Sequence, residues 1–413
     1  MIESSHKPPP ATLLFRPIHP FPARMAPKIV WDQLRSTRNP KGMTILDPMA
    51  GSGTTIVTAR MLGHHALAFD TDPLAVLIAR AWSADVDPAE LTQAGARVLR
   101  SARQRARGMP VGDAYPANSD DETRRFVRYW FDETPRKHLT GLAAAIEDEE
   151  APSIRMLLWC AFSRLIIVKN AGASRAMDVS HSRPHRVYER APLKPFDGFE
   201  RAVRVVAKNA PFSDNRDRPQ AAVHQGDARK LPVQDTSVDV VVTSPPYLNA
   251  IDYLRGHKFS LIWMGHGVGV LREVRATNVG TEVSAGKSEE TPLIRRAITA
   301  MGTSGLPARE VGMLRRYAQD MGAIFVEIAR VLKPKGRAIL VVGDSTIRGK
   351  FVENSRGLTV LARAAGLDLL RRRTRPLPPN RRYLPPPEWA TSGENLEARM
   401  RDEVILTFNR PAD

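Results

Sequence analysis

Short apolar runs of strand length alternate along this chain with stretches in which apolar residues recur every three or four positions. TILD at 44–47 and HALAFD at 65–70 are separated by the helical pattern IVTARMLG, and LAVLIARAW follows the second run. A strand, turn, helix, strand, helix order favours parallel strand pairing. The pattern therefore predicts an α/β protein with a doubly wound, mostly parallel sheet.

The middle of the chain interrupts this alternation. From 85 to 219 the periodicity is mostly helical and the sequence strongly charged. Strands return in AAVHQGD, VDVVVTS and GRAILVVGD, and LDLLRRR and EVILTF predict a closing antiparallel pair. We expect a disordered arm at 1–14, a first part of the sheet domain at 15–84, a helical insertion at 85–219, and the second part at 220–413. A Gly-, Ser- and Thr-rich stretch at about 268–306 predicts a mobile loop.

The charge balance of the chain indicates what kind of partner it binds. The chain has 61 Lys and Arg residues against 44 Asp and Glu, a formal net charge of +17. That charge favours a polyanion such as nucleic acid, and by itself it suits an anionic membrane surface almost as well. The longest apolar run, 156–168, is interrupted by Arg164, which excludes a membrane span. MIESSHKPPP lacks the features of a secretory signal, and the lone Cys160 excludes an internal disulfide, so we expect a cytoplasmic protein.

A glycine-rich turn closes the first strand and opens the helix behind it. Gly51 and Gly53 would let the backbone approach a ligand closely, and a helix N-terminus offers N–H groups to a carboxylate or phosphate. No Lys follows the second glycine, which disfavours a Walker loop. A tight connection without a ligand is the alternative. The candidate cofactor-binding residues of this turn are Asp47, Pro48, Met49, Ala50, Gly51, Ser52, Gly53 and Thr54.

Acidic residues stand at the ends of the next two predicted strands. Asp70 is placed to accept hydrogen bonds from ribose hydroxyls, and Asp227 to hold an adenine amino group. Each could instead be a solvated strand-end aspartate. Because ligands of open α/β sheets collect at the carboxyl ends of the strands, glycines and acids together favour a bound nucleoside.

The fourth predicted strand ends in Thr243, Ser244, Pro245, Pro246 and Tyr247. Two prolines remove two backbone donors and stiffen the turn, leaving carbonyl oxygens as acceptors for an NH2 group. The Ser244 hydroxyl is a further acceptor, and the Tyr247 ring offers a face on which a base can stack. A rigid loop without function is the alternative, and the position after a buried strand argues against it.

With these two segments the sequence resembles the amino-methylating DNA methyltransferases, which transfer a methyl group from S-adenosylmethionine to cytosine N4 or adenine N6. DPMAGSGTT is similar to that family's cofactor loop, DPFxGSGTT, with Met49 where phenylalanine is common. SPPY is similar to its catalytic tetrapeptide, and HPFPARMAPKIV resembles its upstream segment beside the cofactor. The resemblance covers about 15–83 and 221–408.

The resemblance implies a class I methyltransferase fold with a seven-stranded sheet, S-adenosylmethionine as cofactor, no metal, and a double-stranded DNA substrate whose target base is flipped out. Ser244, Pro245, Pro246 and Tyr247 would be catalytic, and SPPY is commoner among cytosine N4 enzymes than among adenine N6 enzymes. Methylation at cytosine C5 uses a cysteine nucleophile next to a proline. Cys160, the single cysteine of the sequence, lies between Trp159 and Ala161, which excludes that reaction. An adenine N6 enzyme, an RNA amine methyltransferase and a non-catalytic DNA-binding protein are the alternatives. A restriction endonuclease is a candidate partner.

The stretch 170–190 is polar, basic and non-periodic, which favours a surface loop. Arg175, Arg183 and Arg186 are its candidate donors to DNA phosphates. His181 and His185 have the spacing of helical metal ligands, but Pro184 between them disfavours a regular helix, and we expect no metal site there.

Overall fold

The computed structural model describes residues 16–21, 24–35, 42–210, 218–248, 252–279, 290–377 and 402–412. The predicted arm at 1–14 lies outside the described residues. The helices of the described chain are α1 (Pro27–Leu34), α2 (Thr54–Met61), α3 (Pro73–Trp82), α4 (Pro88–Ala106), α5 (Asp121–Trp130), α6 (Glu133–Glu147), α7 (Pro152–Ile166), α8 (Pro195–Asn209), α9 (Tyr253–Leu261), α10 (Val268–Thr277), α11 (Pro292–Ala300), α12 (Ala308–Val331) and α13 (Asn354–Ala364).

The strands form one large sheet and two small antiparallel pairs. They are β1 (Thr44–Asp47), β2 (His65–Asp70), β3 (Ala176–Met177), β4 (His185–Arg186), β5 (Ala221–Gln225), β6 (Val238–Thr243), β7 (Leu332–Gly343), β8 (Ser345–Ile347), β9 (Lys350–Val352), β10 (Asp368–Pro376) and β11 (Asp402–Asn409). The large sheet has seven strands in the order β10-β11-β7-β6-β1-β2-β5, and β3–β4 and β8–β9 pair separately. The sequence did not predict these two short pairs.

The order of the large sheet identifies the fold. From β1 the chain moves outward through β2 to β5, then returns to the other side of β1 and continues through β6 to β7. These five strands are parallel, and β11 pairs antiparallel with both β7 and β10. A seven-stranded sheet with this order and one reversed strand is the class I methyltransferase fold. The predicted fold class and the closing antiparallel pair are confirmed.

Helices cover both faces of the sheet. Successive residues of a strand point to opposite faces, and in β1 both Ile45 and Leu46 are fully buried. Ile45 belongs to a cluster that contains residues of α1 and α2, whereas Leu46 belongs to one that contains residues of α12 and α13. A strand buried on both faces reads as a continuous apolar run, which is why TILD shows no polar alternation.

In the sequence, helices α4 to α8 come between α3 and β5. Their buried apolar residues form a hydrophobic cluster with those of α3. Trp82 of α3 and Phe162 of α7 are both buried in this cluster. Cys160, also of α7, is fully buried there, and burial raises the pKa of its thiol to about 12. The cysteine is therefore part of the core.

The predicted mobile loop at about 268–306 was wrong for its described parts. Two helices, α10 and α11, occupy most of the described residues of this stretch. In α11, Ile294, Ala297 and Ile298 are buried at helical spacing, and the Thr291 side chain caps the helix by accepting a hydrogen bond from the Ile294 amide. Residues 280–289 lie outside the described part. None of the helices described is long and apolar enough to cross a membrane.

Candidate active site

The glycine turn between β1 and α2 has a backbone that only glycine adopts readily. Gly51 has φ +50° and Gly53 has φ +85°, both in the left-handed region. A Cβ on Gly53 would lie 2.8 Å from the Cβ of Ala79 in α3. At Gly51 a Cβ would lie 3.4 Å from the Phe21 ring. The turn is thus packed between α3 and Phe21, which belongs to the HPFPARMAPKIV segment.

The amides of the turn are mostly used inside the protein. Ala50 N donates to the Phe69 carbonyl at 2.9 Å, Gly53 N to the Ala50 carbonyl at 2.9 Å, and Gly51 N to Asp70 Oδ2 at 2.8 Å. These three amides are therefore already paired within the protein. The amides of the first turn of α2 remain as donors, because a helix supplies no internal partner for them.

Asp70 joins the end of β2 to the glycine turn. Its Oδ2 accepts from Gly51 N, and its Oδ1 accepts from Asp72 N at 2.9 Å. Burial, and then the neighbouring charge of Asp72, raise the pKa of Asp70 to about 7, although the two amide bonds act in the opposite direction. Each carboxylate oxygen keeps acceptor capacity beyond its amide bond, so the group can still accept two hydroxyls.

Asp47 lies beneath the same turn. It is 2% exposed, and its Oδ1 accepts from Met49 N at 3.2 Å. Burial raises the pKa of this carboxyl to about 6. The geometry gives Asp47 a role in shaping the turn.

Asp227 follows β5 and is held by a guanidinium group. Arg229 Nη2 donates to Asp227 Oδ2 at 2.7 Å, Arg229 Nε lies 3.0 Å from both carboxylate oxygens, and the Arg229 amide donates to Oδ1. Arg229 also donates to Asp320 at 2.7 Å. Sequence reasoning missed this arginine, although it lies only two residues away. The adenine contact of Asp227 stays a prediction.

The loop after β6 is fixed by two strands of the sheet. The Ser244 hydroxyl donates to the Val341 carbonyl of β7 at 3.0 Å, so the lone pairs of Oγ remain as acceptors. The Tyr247 hydroxyl donates to Glu403 Oε1 of β11 at 3.3 Å. Burial, followed by the Glu403 charge, raises the pKa of Tyr247, which keeps the phenol protonated. In this loop Pro245 is buried and Pro246 half-buried.

Glu403 is a residue that sequence reasoning missed. It is 7% exposed, and its second oxygen accepts from Arg375 Nη1 of β10 at 3.1 Å. The closing strands therefore hold the Tyr247 ring in one orientation through a buried carboxylate. No local pattern marks this contact, because Glu403 is the second residue of an otherwise ordinary strand.

The two loops leave the sheet side by side. β1 and β6 are parallel neighbours, with Ile45 opposite Val240 and Leu46 opposite Val241. Their carboxyl ends consequently lie at the same edge, about 4.8 Å apart across the sheet. The strands that follow β1 are added on one side of it as far as β5, and β6 is then added on its other side. This change of side makes the carboxyl ends of β1 and β6 a topological switch point, where open α/β sheets bind ligands.

An aromatic cluster closes one side of this edge. The Phe21 ring stacks on Tyr253 at 5.4 Å and lies 5.2 Å from the ring of His257. Buried His257 is hydrogen-bonded through Nδ1 to Asp72 Oδ2 at 2.5 Å. Helix α9 is thereby tied to the turn after β2. Tyr253 and His257 were also missed, and the only local signal was their spacing of four residues in the segment after the Ser-Pro-Pro-Tyr loop.

The three candidate DNA contacts occupy different surroundings. Arg175 is half-buried and donates to the carbonyls of residues 128 and 129 at 3.4 Å. These hydrogen bonds hold the end of α5 against the segment that contains Arg175. Arg186 is exposed and lies over the Tyr129 ring at 5.0 Å. Arg183 is exposed and lines a groove beside α9. Their contacts with DNA stay predictions. Within the described ranges, no group of three or more His, Cys, Asp or Glu side chains could hold a metal ion.

Comparison with known proteins gives two sequence relatives. No protein-family profile matches the chain. It is 21% identical over 353 residues to the Type II methyltransferase M.MvaI of Kocuria varians, covering 80% of this chain and 77% of the relative. It is 24% identical over 264 residues to the Type II methyltransferase M.BsoBI of Geobacillus stearothermophilus, covering 59% of this chain and 51% of the relative. The match thus spans about half of the second relative.

Solved structures that match this chain in a structural comparison include a SAM-dependent methyltransferase from Methanosarcina mazei. Its identity to this chain is 9%, the TM-score is 0.33, and the superposition covers 95% of this chain and 100% of that one. The fold assignment rests on the strand order and directions described above. The chain is a class I methyltransferase in fold, and Type II methyltransferases are among its sequence relatives.

Proposed function

We propose that this chain transfers a methyl group from S-adenosylmethionine to the exocyclic amine of a base in DNA, with cytosine N4 as the preferred acceptor. One observation carries the proposal: the glycine turn and the Ser-Pro-Pro-Tyr loop leave neighbouring parallel strands at one edge of the sheet. A methyl donor bound by the first can therefore meet an amine bound by the second. Both sequence relatives are named Type II methyltransferases, and the resemblance of the two loops to the amino-methylating DNA methyltransferases favours DNA over RNA as the substrate.

The residues around the glycine turn fit the cofactor. The Asp70 carboxylate has acceptor capacity left for two ribose hydroxyls. Asp227, at the end of β5, is an acceptor for the adenine amino group, and its pairing with Arg229 fixes its orientation. The turn from Pro48 to Thr54 brings backbone close to the ligand. When bound, S-adenosylmethionine supplies an electrophilic methyl group on a sulfonium.

The loop after β6 prepares the acceptor. An aryl amine is a weak nucleophile because its lone pair is delocalised into the ring. Ser244 Oγ, whose hydrogen is directed to the Val341 carbonyl, and the Pro245 carbonyl accept the amine hydrogens and localise the lone pair on nitrogen. The nitrogen then forms a bond to the methyl carbon as the carbon–sulfur bond breaks, and the surplus proton passes to solvent. Positioning supplies most of the rate enhancement, and no covalent enzyme intermediate is needed.

Tyr247 supports the base outside the duplex. Flipping a base costs a few kcal/mol of lost stacking and pairing, and stacking on an aromatic ring offsets part of that cost. The hydrogen bond to Glu403 fixes the Tyr247 ring before the base arrives, so little conformational entropy is lost on binding.

The test is to incubate the protein with methyl-labelled S-adenosylmethionine and, in parallel reactions, DNA or RNA, digest each nucleic acid to nucleosides, and identify the labelled one. Tyr247→Ala, prepared identically, controls for contaminating methyltransferases. The expected product is N4-methyldeoxycytidine. N6-methyldeoxyadenosine would overturn the choice of base, and label confined to RNA would overturn the substrate class. DNA binding with no label in any nucleoside would favour a non-catalytic DNA-binding protein.

A further inference from the structure

A basic groove of about 550 Å³ lies beside helix α9, between the insertion and the sheet domain. Two aromatic residues, Trp130 of α5 and Phe259 of α9, form part of its lining. Pro184 and four basic residues complete it, and the basic residues are Arg183, Arg255, Lys258 and Arg275. They come from three separate segments, namely the β3–β4 connection, α9 and α10. The groove is therefore assembled only when the insertion packs against α9.

Helix α9 divides its side chains between the candidate active site and the groove. Tyr253 and His257, four residues apart, contact Phe21 on one side. Arg255, Lys258 and Phe259, at steps of three and four residues, line the groove. Residues at such spacings share a helix face. A helix is about 10 Å across with its side chains, so this distance separates the groove from the Phe21 contacts.

The insertion reaches α9 through a close backbone contact. A Cβ on Gly256 would lie 2.3 Å from the Val179 carbonyl oxygen, so only glycine allows the approach. The Ser182 hydroxyl donates to the Tyr253 carbonyl at 3.2 Å. Arg183 follows directly and is exposed. Its position beside α9 is thus set by the residues immediately before it.

Positive charge in the groove is only partly compensated. Asp252 Oδ2 pairs with Arg255 Nε at 3.2 Å and with Arg275 Nε at 2.5 Å, leaving most guanidinium donors of both arginines for another partner. Burial, and then the charge of Arg275, lower the pKa of Lys258. None of the described lining residues is acidic. Four cations around one carboxylate make a site for a polyanion.

We propose that this groove binds the phosphate backbone of a DNA strand next to the base that is methylated, a proposal that rests on the proposed function. Guanidinium and ammonium groups bind phosphate oxygens by charge-assisted hydrogen bonds, and Trp130 offers an apolar surface for a sugar or base. Lys258 is half-buried in the groove, so a narrow phosphate chain reaches its ammonium group more readily than a flat bilayer surface does. Both sides of α9 would then act on one substrate, with the base held on one side and its backbone on the other.

The experiment measures DNA affinity against salt concentration, with S-adenosylhomocysteine present, for the wild type, Arg183→Gln and Lys258→Met. Arg363→Gln is the matched control, because Arg363 is an exposed arginine of α13, on a different part of the sheet. Each groove variant is expected to weaken DNA binding about tenfold near 0.1 M salt and to reduce the slope of log affinity against log salt by about one. The control is expected to keep the wild-type slope. Methionine retains the apolar stem of Lys258, and Arg183 is exposed, so each substitution preserves the packing and two independent folded variants test the groove.

The results separate the groove from the proposed function. If the wild type methylates DNA and both groove variants match Arg363→Gln in affinity and slope, the groove proposal is wrong and the function stands. If the wild type binds DNA with no dependence on salt, the groove proposal is wrong as well. If the wild type neither binds nor methylates DNA while it binds the cofactor, the proposed function fails and the groove proposal falls with it.

Discussion

Replacing Asp70 by alanine tests the cofactor side of the site most sharply. The carboxylate already accepts the amides of Gly51 and Asp72 and is proposed to accept two ribose hydroxyls besides. A hydrogen bond to a charged group contributes about 1.5–3 kcal/mol, so the loss of two at the lower end amounts to about 3 kcal/mol. Since each 1.4 kcal/mol is about tenfold in affinity, the Kd for S-adenosylmethionine should rise at least about 100-fold.

The fold should survive this change. Removing Asp70 leaves the Gly51 and Asp72 amides without their side-chain acceptor, at a cost of about 1–3 kcal/mol each. The change also removes a half-buried acid whose pKa is raised to about 7. Such an acid binds a proton more tightly when folded, so its contribution to stability falls as pH rises from about 4 to about 7. Above pH 7 the two effects of the substitution oppose each other.

Asp344 provides a matched control at the same edge of the sheet. It follows β7, accepts hydrogen bonds from the Ser355 amide at 2.8 Å and hydroxyl at 3.0 Å, and has its pKa raised by burial. Titration calorimetry on Asp70→Ala and Asp344→Ala should show the large loss of cofactor affinity only in the first. Wild-type affinity should also increase with pH through about 7, as Asp70 ionises. Equal affinities for the two variants, or a wild-type affinity independent of pH, would remove Asp70 from the site.

Three further predictions follow from the same geometry. Tyr247→Ala should lower the rate of methyl transfer at least about 100-fold while cofactor affinity stays within about threefold, because the ring serves only the base; equal losses in both would contradict that role. Gly53→Ala should destabilise the fold by about 2–4 kcal/mol in urea unfolding, since φ is +85° and the new Cβ would lie 2.8 Å from that of Ala79; an unchanged midpoint would refute it. Burial raises the pKa of Asp47 to about 6, so ionisation of this carboxyl should lower the stability of the wild type by about 2–3 kcal/mol between pH 4 and pH 7. Asp47→Asn should lack this decrease. If the stability of both proteins has the same pH profile, the pKa of Asp47 is not raised by burial.

The strands were predictable because the sheet is buried on both faces. Runs such as TILD and VDVVVT place apolar residues next to one another, at 45–46 and 240–242, and a parallel sheet covered by helices on both faces requires such pairs. The region of α10 and α11 was mispredicted because the prediction followed its glycine, serine and threonine residues, which make up 13 of the 39 positions at 268–306. The apolar spacing of Ile294, Ala297 and Ile298 carried the correct signal within it.

The site was predictable as far as its residues are neighbours in sequence. The glycine turn, Asp70 and the Ser-Pro-Pro-Tyr loop are local patterns at strand ends. Glu403 lies 156 positions after the tyrosine that it holds, and nothing near either residue announces the contact. Phe21 and His257 likewise meet only because α9 packs against the turn after β2. Contacts of this kind depend on the order of the strands, which a local pattern does not contain.

Methyl transfer as proposed requires that donor and acceptor meet at the edge where β1 and β6 end. A crystal structure with S-adenosylhomocysteine and substrate DNA tests this directly. The expected result has the ribose hydroxyls on Asp70, the target amine at hydrogen-bond distance from Ser244 Oγ and the Pro245 carbonyl, and room for a methyl group between that amine and the sulfur. A cofactor bound away from Asp70, or an amine bound away from Ser244 and Pro245, would contradict it.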